Sequence, residues 1–174
     1  MSASSPIEPC ALPDGALLSR YRANGGYTDC YATEISGTVS QAQYVQAFYT
    51  TPLFKLERAI LKFAVAMPST DAQAGQLAEG SIKAFAAWRV EARSDNQLLM
   101  CDFRARTRSW LMAEPTADGA RTRLYFGSAV VPVGSAQNGK PGLGLAFRLL
   151  LGFHKLYSAA LLRAARSRIE KTVA

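Results

Sequence analysis

From Ile82 to Val131 hydrophobic and polar residues alternate with a period of two, whereas before and after that stretch the period is that of a helix. Within it, strands are expected at Ile82 to Arg93, Gln97 to Phe103, Arg106 to Ala113 and Ala120 to Val131. Ser94-Asp95-Asn96, a tight bend near Arg104, and Thr116-Ala117-Asp118-Gly119 separate them. Links this short leave no room for crossover helices, so the strands should pair antiparallel as a meander. Leu143 to Ile169 then reads as one long amphipathic helix. Its apolar stripe is Leu149, Phe153, Leu156, Ala160 and Ala164, and its wet side Arg148, Lys155, Arg163 and Arg166. His154, the single histidine, falls on the flank with Leu150, Leu151, Tyr157, Ser158 and Leu161.

Upstream, Tyr27 to Ile35 is rich in β-formers and follows Asn24-Gly25-Gly26, which marks a first strand. Ser40 and Gln43 have capping-box spacing and open a helix to about Tyr49. Thr51 can cap a second helix with Pro52 at its first position, ending near Met67-Pro68, with Lys55, Arg58 and Lys62 as its wet stripe. Thr70 and Gln73 repeat the capping box before a short Ala-rich helix that Gly80 stops. The fold class is therefore α+β: an antiparallel meander wrapped around a long C-terminal helix, with two helices after the first strand. Residues 1–24, with Pro6, Pro9 and Pro13, read as a loose leader, and 25–174 as a single domain.

Alternation assigns faces. Arg89, Glu91 and Arg93, then Arg106, Arg108 and Trp110, then Arg121, Arg123 and Tyr125 are expected on the solvent side. Trp88, Val90, Thr107, Ser109, Leu111, Leu124, Phe126, Ser128 and Val130 should face the helix. Gln97 to Phe103 is apolar on both faces; Leu99, Cys101 and Phe103 are placed inward, with Met100 and Asp102 as the alternative.

Composition limits the function classes. At 174 residues and 49% hydrophobic content the chain can bury a real core. A net charge of +7 gives a basic surface suited to solubility or to an anionic partner. Cys10, Cys30 and Cys101 are odd in number and scattered, as expected of reduced thiols in a cytoplasmic protein. Met1 to Gly15 has no Lys, Arg or continuous apolar run, unlike a secretory signal. Leu143 to Leu162, the most apolar stretch, is interrupted by Arg148, His154 and Lys155, which favours a buried helix over a membrane span.

Chemical motifs are sparse. Gly134 to Pro141 approaches a phosphate-binding loop, but Pro141 replaces the residue whose backbone NH and hydroxyl such a loop needs. One histidine and dispersed cysteines make no metal-ligand set, and no cofactor is expected. Asp29 and Asp102 are acids that could lie buried, and His154 could pair with Cys30 or Cys101 as base and nucleophile. The arginine face with Trp110 and Tyr125 could bind nucleic acid or an anionic membrane, or be an ordinary wet face with Glu91 paired across strands.

The order strand, two helices, meander and long C-terminal helix resembles the helix-grip superfamily (START-like, SRPBCC), which includes lipid-transfer domains, plant pathogenesis-related allergens and polyketide cyclases. Tyr27-Thr-Asp-Cys-Tyr31 and Phe153-His154-Lys155-Leu156-Tyr157 are similar to a bacterial branch without an assigned activity. The meander has one strand fewer than that family's sheet unless Ile82 to Arg93 divides at Ala86-Ala87. The resemblance implies a cavity between sheet and helix that holds a small hydrophobic molecule. Trp88, Phe126, Phe153 and Tyr157 would supply its apolar wall, and Ser109, Ser128 and His154 its polar groups. An alternative is a cyclase- or hydrolase-like enzyme with His154 as catalytic base.

Overall fold

The computed structural model describes residues 5–131 and 145–173, with the side chains of those residues apart from 61, 64, 65, 145–154 and 173. Seven strands form one antiparallel sheet: β1 (Glu8–Pro9), β2 (Tyr27–Ser36), β3 (Ala84–Phe85), β4 (Trp88–Ser94), β5 (Gln97–Asp102), β6 (Thr107–Pro115) and β7 (Arg121–Val130). Their order is β1-β2-β7-β6-β5-β4-β3, so the meander β3 to β7 is closed by β2, whose whole length pairs with β7. Helices are α1 (Ser19–Ala23), α2 (Gln41–Tyr49), α3 (Pro52–Val65), α4 (Asp71–Glu79) and α5 (Leu145–Val173). Among the described residues no helix is long and apolar enough to cross a membrane. The stretch 134–141, which approaches a phosphate loop in sequence, lies outside them.

Local chemistry accounts for the helix bounds. The Gln43 N–H donates to Ser40 Oγ at 3.2 Å while the Ser40 N–H donates to Gln43 Oε1 at 2.8 Å, closing the box that starts α2. Thr70 and Gln73 do the same for α4. Each such cap stabilises its helix by about 1 kcal/mol. Left-handed Gly80 ends α4, and the Ser81 N–H donates to the Gln76 carbonyl at 2.8 Å. The expected strand from Ile82 does divide at Ala86-Ala87, where Ala86 takes φ 50° to turn β3 into β4.

The sheet has two cores. On one face α2, α3, α4 and α5 cover Ile35, Leu98, Met100, Leu111, Ala113, Leu124 and Phe126. Phe48 of α2 lies with its ring centroid 5.0 Å from that of Phe126. On the other face Leu99, Trp110, Met112, Tyr125 and Ala129 are covered by residues of the N-terminal segment, chiefly Ala16 and Leu18.

That second core corrects several expectations. Residues 5–24 are a packed strap, with β1 in the sheet and Leu18 fully buried. Gln97 fastens it: its Oε1 accepts from the Leu17 N–H and from Trp110 Nε1, both at 2.9 Å, and its Nε2 donates to the Gly15 carbonyl. Trp110 and Tyr125 are therefore buried and not on a wet face. In β5 it is Leu98 and Met100 that point to the helices, because they pair with Leu111 and Ser109; Leu99 and Cys101 turn to the strap side, and Phe103 is exposed. A bulge between Val90 and Ala92 shifts β4 by one residue. Arg93 consequently sits opposite Leu98 on the helix side and donates to the carbonyls of Leu77 and Ala78 at the end of α4.

Two helix faces also differ from expectation. Arg58 is buried, with its guanidinium donating to Ser69 Oγ, the Ser69 carbonyl and Asp71, and so ties α3 to α4. In α5 the buried positions are Ser158, Leu161, Leu162, Ala165 and Ile169, while Leu156 is 75% exposed. The face chosen is the one that meets α2 and β2, and the amphipathic stripe alone did not resolve it from its neighbour.

Candidate functional site

Between the sheet and helices α3 and α5 lies a cavity of about 600 Å³. α2 and α3 contribute Phe48, Leu53, Phe54, Leu56, Glu57 and Ile60; the sheet contributes Trp88, Thr107, Ser109, Phe126 and Ser128; α5 contributes Tyr157, Ser158 and Leu161. These positions follow from two periods. Ser109 and Ser128 are cross-strand partners on one face, and Leu53, Glu57 and Ile60 recur at one turn of α3. The volume suits a small organic molecule, and most of the wall is apolar.

The structure brings Trp88, Ser109, Phe126, Ser128 and Tyr157 to this one cavity. The side chains of Phe153 and His154 lie outside the described residues, as does any role of His154 as a base. Asp29 of β2 faces Ser128, whose Oγ donates to the carboxylate at 2.5 Å and whose N–H donates at 3.1 Å. Asp102 instead closes the turn after β5, accepting from the N–H groups of Arg106 and Thr107.

Sequence reasoning missed two polar groups. Glu57 was hidden in a helix read by its lysines and arginine, yet its spacing from Leu53 and Ile60 places it on the cavity stripe. Its Oε2 accepts the Tyr157 hydroxyl at 2.5 Å. Burial raises the Glu57 carboxyl above its ordinary value, opposed by hydrogen bonds from Tyr157 and Trp88. Burial and the neighbouring Glu57 also push the Tyr157 phenol up. Ser158 is the second: its Oγ is buried in the cavity wall with no hydrogen-bond partner among the described residues. A buried hydroxyl left unpaired costs roughly 1–3 kcal/mol, which a ligand's polar end would offset.

The two aromatics expected on the arginine face, Trp110 and Tyr125, are buried and offer no stacking surface. Arg108 is almost wholly buried; its Nε meets Glu91 at 2.6 Å and its guanidinium lies over the Tyr21 ring. Arg121 and Arg123 both bind Glu34, at 2.9 and 2.6 Å. Leu56, Ile60 and Phe63 form an exposed apolar stripe on α3, and two of them reach the cavity. No protein-family model matches the chain, and no curated protein matches it.

Proposed function

We propose that the protein binds a small, largely apolar molecule with one polar end in the cavity between its sheet and α5. The unpartnered hydroxyl of Ser158, buried in an apolar wall, carries this reading. Phe126, Trp88 and Leu161 enclose the apolar body, while Ser158, Ser109 and the Glu57–Tyr157 pair orient the polar end. Helix-grip domains hold ligands in this position, and membership of that superfamily is part of the same proposal.

The test is titration with N-phenyl-1-naphthylamine, a neutral apolar fluorophore. The wild type should bind it at one site, and Ser158→Phe, which places a ring in the cavity, should weaken binding at least tenfold with a normal melting curve. Ile60→Asp at the mouth should weaken it too. Binding unchanged in both variants would mean that the probe sits elsewhere, and would sink the proposal.

A second reading is an enzyme acting on such a molecule, and Glu57 favours it. A carboxyl that burial raises above its ordinary value inside an apolar cavity can hold a proton or take one from a bound molecule. Slow hydrolysis of p-nitrophenyl hexanoate that vanishes in Glu57→Gln while probe binding persists would favour catalysis over binding alone.

A further inference from the structure

The strap crosses the sheet edge at Cys10, directly opposite Cys30. The register that pairs Glu8 with Ala32 and Pro9 with Tyr31 continues to these two residues, and the Cys10 N–H donates to the Cys30 carbonyl at 2.9 Å. Their side chains lie on the same side, with the Cys10 thiol donating to Cys30 Sγ at 3.2 Å. Facing residues of an antiparallel pair have Cα atoms about 4.5–5.5 Å apart, within the span a disulfide bridges. The two thiols differ in access. Cys30 is buried, whereas Cys10 is half-exposed and lines an open groove of about 660 Å³ together with Arg123. We propose that Cys10 and Cys30 are a peroxide-oxidised thiol pair whose reversible disulfide staples the strap to β2.

Cys10 is the attacking group. Once ionised, Cys10 accepts the hydrogen bond from the Cys30 thiol, which holds it below the ordinary value, helped against burial by the charge of Arg123; the hydrogen bond with Cys10 and then burial push Cys30 up. In the first step the Cys10 thiolate attacks one peroxide oxygen. A sulfur–oxygen bond forms, the oxygen–oxygen bond breaks, and the departing hydroxide takes up from solvent the one proton that Cys10 released on ionising and leaves as water. In the second step Cys30 Sγ attacks the sulfenic sulfur of Cys10, its proton joins the departing hydroxide, and a second water leaves. The two sulfurs together lose two electrons, and the peroxide gains them. The bond closes a loop of 20 positions that contains the whole α1 segment. Cys101 is the internal control: it is buried on β5, away from the pair, and donates to the carbonyl of the next residue, Asp102.

The experiment treats the reduced full chain with a small excess of hydrogen peroxide, alkylates the remaining thiols and maps peptides without reduction. We expect a monomer with Cys10 linked to Cys30, Cys101 alkylated, and full reversal by dithiothreitol. Cross-linking should raise the melting midpoint by roughly 5–10 °C. Cys30→Ser should stop at a sulfenic acid on Cys10 that dimedone traps. Cys10→Ser, at a half-exposed site that tolerates the change, should give neither product. Oxidation of Cys101 as fast as Cys10, over-oxidation of Cys10 with Cys30 still a free thiol, or an unshifted melting midpoint of the cross-linked monomer would each overturn the proposal.

Discussion

On its helix side the sheet meets a carboxylate, Glu57, inside an apolar cavity; on its strap side it meets Glu34 and Glu91 among arginines. Burial raises Glu57. Arg123 and Arg121 hold Glu34 below its ordinary value, and at Glu91 the desolvation is outweighed by Tyr21 and Arg108. Both sides bury polar groups, but Glu34 and Glu91 on the strap side are paired with arginines, whereas the Glu57 carboxylate in the cavity accepts the Tyr157 hydroxyl. The thin strap covers Leu99 and Trp110 completely, whereas the four thicker helices leave a cavity beside Phe126. Where the cover is complete the residues serve stability, and where it is incomplete they remain available to a ligand.

The largest effect expected is from Trp110→Ala. This fully buried side chain joins the sheet to the strap, and its loss should cost about 3–5 kcal/mol in urea unfolding. A near-normal stability would mean that the strap side is not a core at all. Gln97→Leu should cost about 2–3 kcal/mol, since the Leu17 N–H, Trp110 Nε1 and the Gly15 carbonyl lose their partner. Amide exchange in residues 15–18 should quicken while α2 stays protected; equal protection throughout would break the distinction between strap and helices.

The helix side differs in the sign of its pH response. A carboxyl raised on folding binds its proton more tightly in the native state, so its contribution is complete below the ordinary carboxylate range and is lost as pH rises through the native value. Glu57→Gln should remove that loss and gain stability relative to wild type as pH rises above the ordinary carboxylate range. For Glu34 and Glu91 the sign reverses, and stability is lost on acidification. Urea midpoints across this range separate the two, and a Glu57→Gln curve parallel to wild type would place that carboxyl in ordinary solvent.

The capping boxes at Ser40 and Thr70 and the stop at Gly80 were legible because both partners lie within one turn of chain. That Trp88, Ser109, Phe126 and Ser128 share the helix-facing side of the sheet was legible from strand alternation. Two features were not. Ala86 turns the chain with a residue that carries no turn signal, and the bulge at Glu91 reverses a face without changing composition. The strap was the larger omission, since Ala16, Leu17 and Leu18 form too short a run to show a period. Its sign was in β5 instead: a strand apolar on both sides requires cover on both. Likewise the arginines looked wet because Glu34 and Glu91 meet them only across strands.

The pairing of β2 with β7 joins Tyr27 to Val130 and Ser36 to Arg121. β4 to β7 can zip through neighbouring hairpins, but β2, one strand in from the sheet edge, waits for a partner made almost a hundred residues later. During synthesis from the N-terminus, α2 can meet α4 early, but neither α2 nor the strap has its complete surface until β7 has left the ribosome. Their apolar residues stay exposed over that interval, so assembly should be slow beside that of a helical protein of the same length.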